Sequence, residues 1–500
     1  MTFLSLFVLV PVVMLLAFIP CRDIKQVRTV AVVGALIEMA LSLVLLYMFF
    51  QERGAGNTAD MLFTYKAMWF ESLNITYSIG VDGISVLMLL LTAVIVLTGT
   101  FASWNINPIP RDFFIWLTLL SIGVYGFFIS LDLFTMFFFY EIALIPMYLL
   151  IGIWGSGRKE YSAMKLTLML MGGSAFLFVG ILGMYFCSPM VPVDINGVTT
   201  MMHTFDIQEI LKGGIDAGAQ YWIFPLTFVG FGVLGAMFPF HTWSPDGHAA
   251  APTAVSMLHA GVLMKLGGYG CFRVAIHLMP EAANELGWIF LVLTGISVIY
   301  GALGAISQTD LKFINAYSSV SHCGLVLFAI LMLNQTATTG AVMQMLSHGL
   351  MTALFFALIG MIYGRTHTRD IRELGGLMKI MPFLSVSYVI AGMASLGLPG
   401  LSGFVAEMTI FVGSFEHPDM FHRVFTIVAI SSIVATAVYI LKVVGKILYG
   451  PVQDPHHLEL TDAVWHERVA VIGLIVCVAG MGLFPGWISN MVSECLTYLA

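Results

Sequence analysis

Charged residues are scarce in this chain. Only 10% of its 500 residues are Asp, Glu, Lys or Arg, 59% are hydrophobic, and the mean hydropathy is +0.94. Soluble domains carry about 25% charged residues. The net charge of −7 is small for this length, and the sequence has no basic run, no Gly-rich phosphate loop and no large hydrophilic segment. These absences exclude a soluble protein, argue against a nucleic-acid partner and predict an integral membrane protein.

The cysteines are few and scattered, and no C-x-x-C pair occurs. The six are Cys21, Cys187, Cys271, Cys323, Cys477 and Cys495. Single, widely spaced thiols argue against a metal or cluster site and are typical of buried free cysteines. The sequence therefore predicts no metal and no cofactor bound by this chain.

Long apolar runs fill most of the sequence. A spanning helix needs roughly 20 apolar residues, so residues 1–500 are predicted to form one all-α polytopic domain with about fourteen spans. Their approximate limits are 2–20, 28–50, 80–102, 112–130, 132–152, 162–187, 221–244, 252–279, 287–306, 313–333, 340–363, 381–414, 424–449 and 467–492. The first run lacks a basic n-region and is interpreted as a retained helix. The longest polar connections are 51–79, 188–220 and 450–466.

The placement of lysine and arginine predicts the orientation. Apart from Lys165 and Lys265, which fall inside spans, the odd-numbered connections hold 14 of these residues and the even-numbered ones hold 5. Basic residues favour the cytoplasmic side. The odd connections are therefore predicted in the cytoplasm, with both termini on the non-cytoplasmic side.

Two spans contain helix breakers. The seventh has Pro239 followed by His241, and the twelfth has Gly-Leu-Pro-Gly-Leu-Ser-Gly at 397–403 with Glu407 one turn beyond. Broken helices at membrane depth are tolerated only where the freed backbone faces protein or water. The breaks lie five spans apart, and an odd offset reverses orientation, as in the inverted repeats of transporters.

A few ionisable residues lie inside the apolar spans and are the candidates for chemistry. A charge at this depth is costly unless it is paired, hydrated or neutralised. The six are Glu141, Lys165, Lys265, His322, His348 and Glu407. Because they are spread over six spans, they suggest a polar path through the membrane.

Glu141 and Lys265 are the strongest of these candidates. Glu141 has no neutralising partner in its span, and Pro146 frees the Ile142 carbonyl one turn back, which makes a seat for a bound water. A buried lysine loses its charge readily and can carry a proton near neutral pH. Lys265 lies near the middle of its span, which argues against snorkelling to the interface.

The remaining candidates have structural alternatives. His322 and His348 can shuttle protons through either ring nitrogen, but a lone buried histidine is more often a satisfied core group. Glu407 stands beside a break where water can enter. Lys165 lies near a cytoplasmic end and can snorkel, and Glu38 is also explained by contact with a neighbouring helix.

Several stretches together resemble the antiporter-like, proton-translocating subunits of respiratory complex I. They are Phe-Pro-Phe-His-Thr-Trp-Ser-Pro-Asp-Gly-His-Ala-Ala-Ala-Pro-Thr-Ala (238–254), Gly-Val-Leu-Met-Lys (261–265), Tyr-Ser-Ser-Val-Ser-His (317–322), Ser-His-Gly-Leu (347–350) and Gly-Leu-Pro-Gly-Leu-Ser-Gly-Phe-Val-Ala-Glu (397–407). Glutamate at position 407 resembles the chain M branch, the homologues of mitochondrial NADH dehydrogenase subunit 4. Mrp-type cation/proton antiporter subunits share much of this pattern.

The resemblance implies a domain plan and a proton channel. Three N-terminal helices (1–110) precede two inverted five-helix halves (111–280 and 281–450, spans 4–8 and 9–13), each with one broken helix, and a C-terminal helix (451–500) follows. The implied channel has Glu141 and the seventh-span site with His241 in one half, Lys265 at the centre and Glu407 in the other half. His322 and His348 bridge the centre to Glu407.

The resemblance also implies partners and a location. The expected complex oxidises NADH or another donor and reduces quinone, and this chain is its non-redox, proton-translocating subunit. FMN, iron–sulfur clusters and quinone belong to partner subunits. Neighbouring membrane-arm subunits on both sides and lipids are the expected contacts, in a bacterial inner (plasma) membrane.

One position departs from the family pattern. The family usually has a lysine shortly before the seventh-span break, where this chain has Leu234, and residues 222–240 contain no ionisable group. We hypothesise that Lys165 or His259 supplies the missing charge near Glu141. Two alternative functions stay open: a subunit of an Mrp-type cation/proton antiporter, and a structural spacer whose channel has decayed.

Overall fold

The computed structural model describes residues 2–195 and 198–499, which are mostly helical. The N-terminal region contains three long helices and one antiparallel hairpin. These are α1 (Leu6–Phe18), α2 (Ile24–Gly54), β1 (Leu62–Phe70), β2 (Ile75–Val81) and α3 (Gly83–Ala102). In the hairpin Tyr65 pairs with Ile79, so a small sheet occupies the predicted polar connection 51–79.

The first half is built from α4 to α11 and a second hairpin. The elements are α4 (Pro110–Ile129), α5 (Leu133–Trp154), α6 (Lys159–Cys187), β3 (Val191–Ile195), β4 (Val198–Met202), α7 (Ile207–Gly213), α8 (Ala217–Leu234), α9 (Trp243–Ala250), α10 (Thr253–Leu258) and α11 (Met264–Gly270). β3 and β4 are antiparallel, with Val191 opposite Met202.

The second half and the C-terminal region follow without strands in the described residues. The helices are α12 (Pro280–Ser307), α13 (Leu311–Ile330), α14 (Gln335–Thr366), α15 (Leu377–Ile380), α16 (Pro382–Ser395), α17 (Ser402–Glu416), α18 (Met420–Ile430), α19 (Ser432–Leu448), α20 (Trp465–Leu483) and α21 (Gly486–Glu494).

Each of the fourteen predicted apolar segments contains helix. Among the described residues, eleven helices are long and apolar enough to span a membrane. The number of crossings stays a prediction. α14 lies at the centre of the bundle, since 94% of the residues in its most apolar stretch are buried. α2 is peripheral, with 33% of the corresponding residues buried. Large apolar side chains such as Leu168, Ile145 and Val434 are exposed on the outer helices, where lipid or a neighbouring chain would cover them.

Two pairs of aspartates occupy corresponding places in the halves. Asp132 and Asp310 each accept hydrogen bonds from two backbone N–H groups in the first turn of α5 and α13, so both helices begin at a capping residue. Asp132 forms a β-bridge with Asp206, and Asp310 forms one with Asp370. The sequence Asp-Ile-x-Glu begins at both Asp206 and Asp370. This recurrence supports the predicted repeat.

The first break separates α8 from α9. The backbone leaves the helix after Leu234, and Ala236 adopts a positive φ of 55°. The freed groups find side-chain partners: Trp243 Nε1 donates to the Val233 carbonyl over 3.0 Å, and the Phe238 N–H donates to Ser297 Oγ over 2.7 Å. The unwound segment is therefore held by protein, as a break at this depth requires.

The second break separates α16 from α17. Gly397 and Gly400 both have positive φ angles, 69° and 96°, which favour glycine. Ser402 at the start of α17 accepts a 2.8 Å hydrogen bond from Ser347 of α14. The break thus abuts the central helix.

The helix that follows the first break is not uniformly α-helical. Residues 259–263 and 271–276 form π turns on either side of α11. The Met264 N–H bonds to the His259 carbonyl and the His277 N–H bonds to the Phe272 carbonyl, each five residues back. Such π turns occur frequently at functional sites.

Candidate functional site

Four predicted residues form one row of contacts across the centre of the molecule. Lys265 Nζ lies 2.6 Å from His348 Nδ1. The rings of His348 and His322 are 5.3 Å apart, and His322 Nδ1 lies 3.4 Å from Glu407 Oε1. All four side chains are buried. The row runs from α11 through α14 and α13 to α17, so it joins the first half to the second.

Lys265 is held by the π turn that precedes α11. Its Nζ donates to the Ala260 carbonyl over 2.5 Å, and the residue is only 2% exposed. This position excludes snorkelling of Lys265 to the interface. Because its second contact is an imidazole nitrogen, the lysine has a neighbour that can accept its proton.

Nδ1 of His322 has two neighbours, a hydrogen-bond donor and a hydrogen-bond acceptor. Gln344 Nε2 lies 3.1 Å from this nitrogen and donates to it when it is bare. Glu407 Oε1 accepts from it when it carries a proton. The Nε2 atoms of His322 and His348 have no hydrogen-bond partner in the described structure. Both rings therefore retain one nitrogen for a water or a proton.

Small cavities adjoin both ends of the row. One of about 10 Å³ is lined by His322 and Glu407 together with the hydroxyls of Ser321, Ser395 and Thr436. Another of about 10 Å³ adjoins Lys265. A cavity of this size holds about one water if polar partners are present. The Glu407 end has such partners, so a bound water can extend the row there.

Lys165 is placed differently from the hypothesis that pairs it with Glu141. Its Nζ lies 2.6 Å from Asp246 Oδ2 on α9. Ser174 is the residue of α6 that lies beside Glu141. Nine residues separate Lys165 from Ser174, about 13 Å along the helix. The lysine therefore neutralises Asp246 and does not contact Glu141.

Glu141 and Leu234 lie where the first half lacks the lysine that the family resemblance implies. Glu141 Oε1 is buried without a partner in the described structure. Leu234 is fully buried at the end of α8. A Cβ on Gly267 would meet backbone atoms of Gly235 and Phe231, so α8 and α11 touch here.

His259 lies beside a second histidine that the sequence analysis did not single out. The rings of His259 and His248 are 4.4 Å apart, and His259 also stacks on Trp243 at 5.1 Å. Both imidazoles are fully buried, and all four ring nitrogens lack partners in the described structure. Both feel the charge of Lys265. They therefore form an imidazole pair between α9 and the π turn that precedes α11.

His241 lies within the first break, apart from these contacts. Its ring stacks on Phe238 at 5.6 Å and meets Tyr300 edge-on at 4.8 Å. It is 3% exposed, and its Nδ1 has no partner in the described structure. In the described structure it contacts neither Glu141 nor Glu407.

Other charged groups proved more buried than the sequence analysis assumed. Lys312, assigned to a cytoplasmic connection, is 4% exposed and donates to the Ala251 carbonyl over 2.6 Å. Arg273, counted among the connection residues although it falls near the end of the predicted span 252–279, is buried and ion-paired with Asp82. Asp246 and His248 stand in the quoted motif 238–254, where their polar character could have been noticed.

The cysteines are all free thiols, but only half of them are buried. Cys187, Cys477 and Cys495 are partly exposed, contrary to the prediction of buried thiols. Within residues 2–195 and 198–499, no three His, Cys, Asp or Glu side chains are grouped so that they could hold a metal ion.

The sequence matches a known family over most of this site. The model of the NADH:quinone oxidoreductase/Mrp antiporter transmembrane family matches residues 130–434. The chain belongs to this family. Subunit M of NADH-quinone oxidoreductase from Pseudomonas aeruginosa is 38% identical over 86% of this chain and 83% of its own length. NAD(P)H-quinone oxidoreductase chain 4 3 from Picosynechococcus sp. is 36% identical over 88% and 78%.

Solved structures share the fold along the whole chain. A chain of respiratory complex I from Thermus thermophilus matches with a TM-score of 0.87 and 25% identity over 99% of this chain and 98% of its own. A chain of the Mrp complex from Dietzia sp. matches with a TM-score of 0.82 and 20% identity over 100% and 98%, which shows the fold alone. The predicted all-α membrane fold and the family resemblance are confirmed.

Proposed function

We propose that this chain is the proton-translocating, chain M-type subunit of a membrane-bound NADH:quinone oxidoreductase. It couples quinone reduction in partner subunits to proton movement through its own row. The observation that carries the proposal is the alignment of four buried ionisable side chains from Lys265 to Glu407, with two close polar contacts and one 5.3 Å separation between imidazole rings. The chain lies in a bacterial inner membrane with both termini on the non-cytoplasmic side. FMN, iron–sulfur clusters and quinone bind to partner subunits.

Electrostatic repulsion prevents neighbouring side chains of the row from being positively charged at the same time. Two unit charges at 2.6 Å repel by about 6 kcal/mol at an effective dielectric constant of about 20. Lys265 and His348 therefore share one proton instead of both being charged. Lys265 Nζ–H donates to bare Nδ1 of His348, and transfer leaves a neutral amine beside an imidazolium.

The remaining steps pass the proton towards Glu407. The 5.3 Å between the imidazole rings is bridged by a water at a free Nε2 atom, and the proton then reaches His322. From Nδ1 of His322 it passes to the Glu407 carboxylate, 3.4 Å away. Neutralising Glu407 removes the charge that stabilised the imidazolium, so each step changes the proton affinity of the next group.

In the first half we assign the relay to the ionisable groups on and around α9. Lys165 with Asp246, His241, and the pair His248 and His259 supply its ionisable side chains, and Glu141 forms its far end. The orphaned nitrogens of the histidine pair support this assignment, because buried polar groups without partners call for a bound water or a proton.

The decisive experiment measures proton uptake by the complex reconstituted in liposomes. Lys265→Ala and Glu407→Ala should abolish quinone-coupled uptake. Lys25→Ala and Glu416→Ala change the same residue types at exposed sites and serve as controls. Unchanged uptake with intact assembly would support the spacer instead.

The Mrp-type antiporter is the second candidate, because the matched family includes both classes. The subunits that co-purify with this chain separate them. Flavin and iron–sulfur proteins indicate the oxidoreductase, whereas sodium-driven proton exchange in vesicles without a redox partner indicates the antiporter.

A further inference from the structure

Glu38 is a buried carboxyl that the row does not use. It lies in the middle of α2, outside both halves, and is 1% exposed. Neither of its carboxyl oxygens has a hydrogen-bond partner in the described structure. An unpaired carboxylate at membrane depth is strongly disfavoured, so the group is neutral unless something binds to it.

Glu38 faces a cavity among the first four long helices. The cavity measures about 10 Å³, and its polar lining consists of Glu38, Thr100, Thr118 and Ser121. The hydroxyl of Tyr125, one turn beyond Ser121 on α4, also has no partner in the described structure. An orphaned carboxyl and three hydroxyl-bearing side chains at one small cavity indicate a bound water, which needs two to four polar partners, within roughly this volume.

The polar groups lie at successive depths. Thr100 stands within the last turn of α3, which ends at Ala102. On α4, which begins at Pro110, Thr118 and Tyr125 lie about 12 Å and 22 Å along the helix. The connection between α3 and α4 is one of those predicted to be cytoplasmic. The hydroxyls therefore mark a line from that connection to the middle of the bundle.

The lining favours a proton and water over a metal cation. The other walls are apolar, with Pro11, Met14, Ala35 and Phe114 among them. The hydroxyls of Thr100 and Ser121 already donate to backbone carbonyls, so only their lone pairs are free. One carboxyl and three hydroxyl oxygens give too few ligands for a hard cation, which prefers about six oxygens.

We propose that Glu38, with Thr100, Thr118, Ser121 and Tyr125, forms a water-containing proton-binding site that opens towards the connection between α3 and α4. A proton delivered by water from that side binds to the Glu38 carboxylate and gives the neutral acid. Return of the proton to water restores the carboxylate. The site shares no residue with the row.

Infrared difference spectroscopy of the purified complex tests this site. At neutral pH the protein should show one protonated-carboxyl band that is absent in Glu38→Gln, and the band should shift in D₂O without unfolding. Glu160→Gln, at an exposed position, should remove no such band. Thr118→Val combined with Ser121→Ala should keep the band but slow its exchange.

Each other result overturns the proposal. No band lost in Glu38→Gln means that the carboxyl is not protonated. A band that never exchanges in D₂O means a sealed structural group, and unchanged exchange in the double variant means that the line is not the path. Loss of the band on replacing K⁺ by Na⁺ means a cation site. Because the readout does not involve proton pumping, it is independent of the proposed function.

Discussion

The ammonium nitrogen of Lys265 and Nδ1 of His348 lie 2.6 Å apart at the junction of the two halves. Lys265 belongs to α11 at the end of the first half, and His348 belongs to α14 in the second. No other recorded contact of Lys265 leads to a titratable side chain of the row. In the proposed relay, this contact is the point at which a proton or a charge effect crosses between the halves.

Replacing His348 tests that contact. His348→Leu removes the acceptor and leaves Lys265 with the Ala260 carbonyl. We expect quinone-coupled proton uptake in liposomes to fall roughly 100-fold, the usual contribution of a positioned acid–base group. His203→Leu is the control, since His203 contacts the Ser188 carbonyl near the second hairpin. Equal uptake in the two variants would show that the contact is not used.

Leu234→Lys introduces the lysine that the family usually has at this position. The site is fully buried where α8 and α11 touch, so we expect a destabilisation of about 3 kcal/mol. Thermal unfolding of the purified complex measures it. Leu234→Met conserves volume and should change stability by less than about 1.5 kcal/mol. A lysine variant as stable as the methionine variant would reveal an unrecognised polar partner.

The Lys165–Asp246 pair is tested with a double-mutant cycle. Replacing either residue by Ala should lower both uptake and stability, and the two changes together should cost less than their sum by about 1–3 kcal/mol. The Arg365–Glu467 pair, also 2.6 Å long, lies outside the relay. Removing it should affect stability alone. Additive effects at Lys165 and Asp246 would contradict a functional pair.

His259→Leu distinguishes the two hypothesised replacements for the missing lysine. If His259 supplies the charge, uptake should fall by about tenfold or more, and stability should not decrease because the orphaned ring nitrogens disappear. Proton uptake and thermal unfolding measure the two effects. Undiminished uptake would leave the role to Lys165 and Asp246.

Substituting two glycines at the second break distinguishes the effect of backbone strain from the effect of contact with Glu407. Ala at either Gly397 or Gly400 should cost about 1–2 kcal/mol, because both have positive φ angles. Only Gly397 faces the carboxylate, where an added Cβ would lie 3.3 Å from Oε2. Gly397→Ala should therefore also change proton uptake, and Gly400→Ala should not. Equal uptake in both would contradict the predicted role of this contact.

The helices were predictable because their signal is local. Apolar run length located each of the fourteen segments, and proline and glycine located both breaks. The hairpin β1–β2 was missed, since its strands lie in what hydropathy registers only as a polar connection. The extension of α2 to Ile24–Gly54 was missed as well, because its ends are polar.

The site was only partly predictable because contact across helices leaves no local signal. His322 and His348 stood as isolated histidines in the sequence, yet their rings lie 5.3 Å apart. The partner of Lys165 was mistaken, since Asp246 is 81 residues away and lies in a motif recognised for other reasons. The recurrence of Asp-Ile-x-Glu at 206 and 370 is a local sequence pattern that indicates the repeat.

The two π turns on either side of α11 allow the helix segment that carries Lys265 to rotate. Each π turn accommodates one residue more than an α-helical turn in the same length. If the extra residue of the first π turn moved into the second, the residues between the two would rotate by about 100°, the angle of one residue in an α-helix. Lys265 would then swing away from His348 while both ends of the helix kept their places. Rotation of this helix segment can thus make or break the contact between Lys265 and His348, which is formed in the present structure, without any tilt of the neighbouring helices.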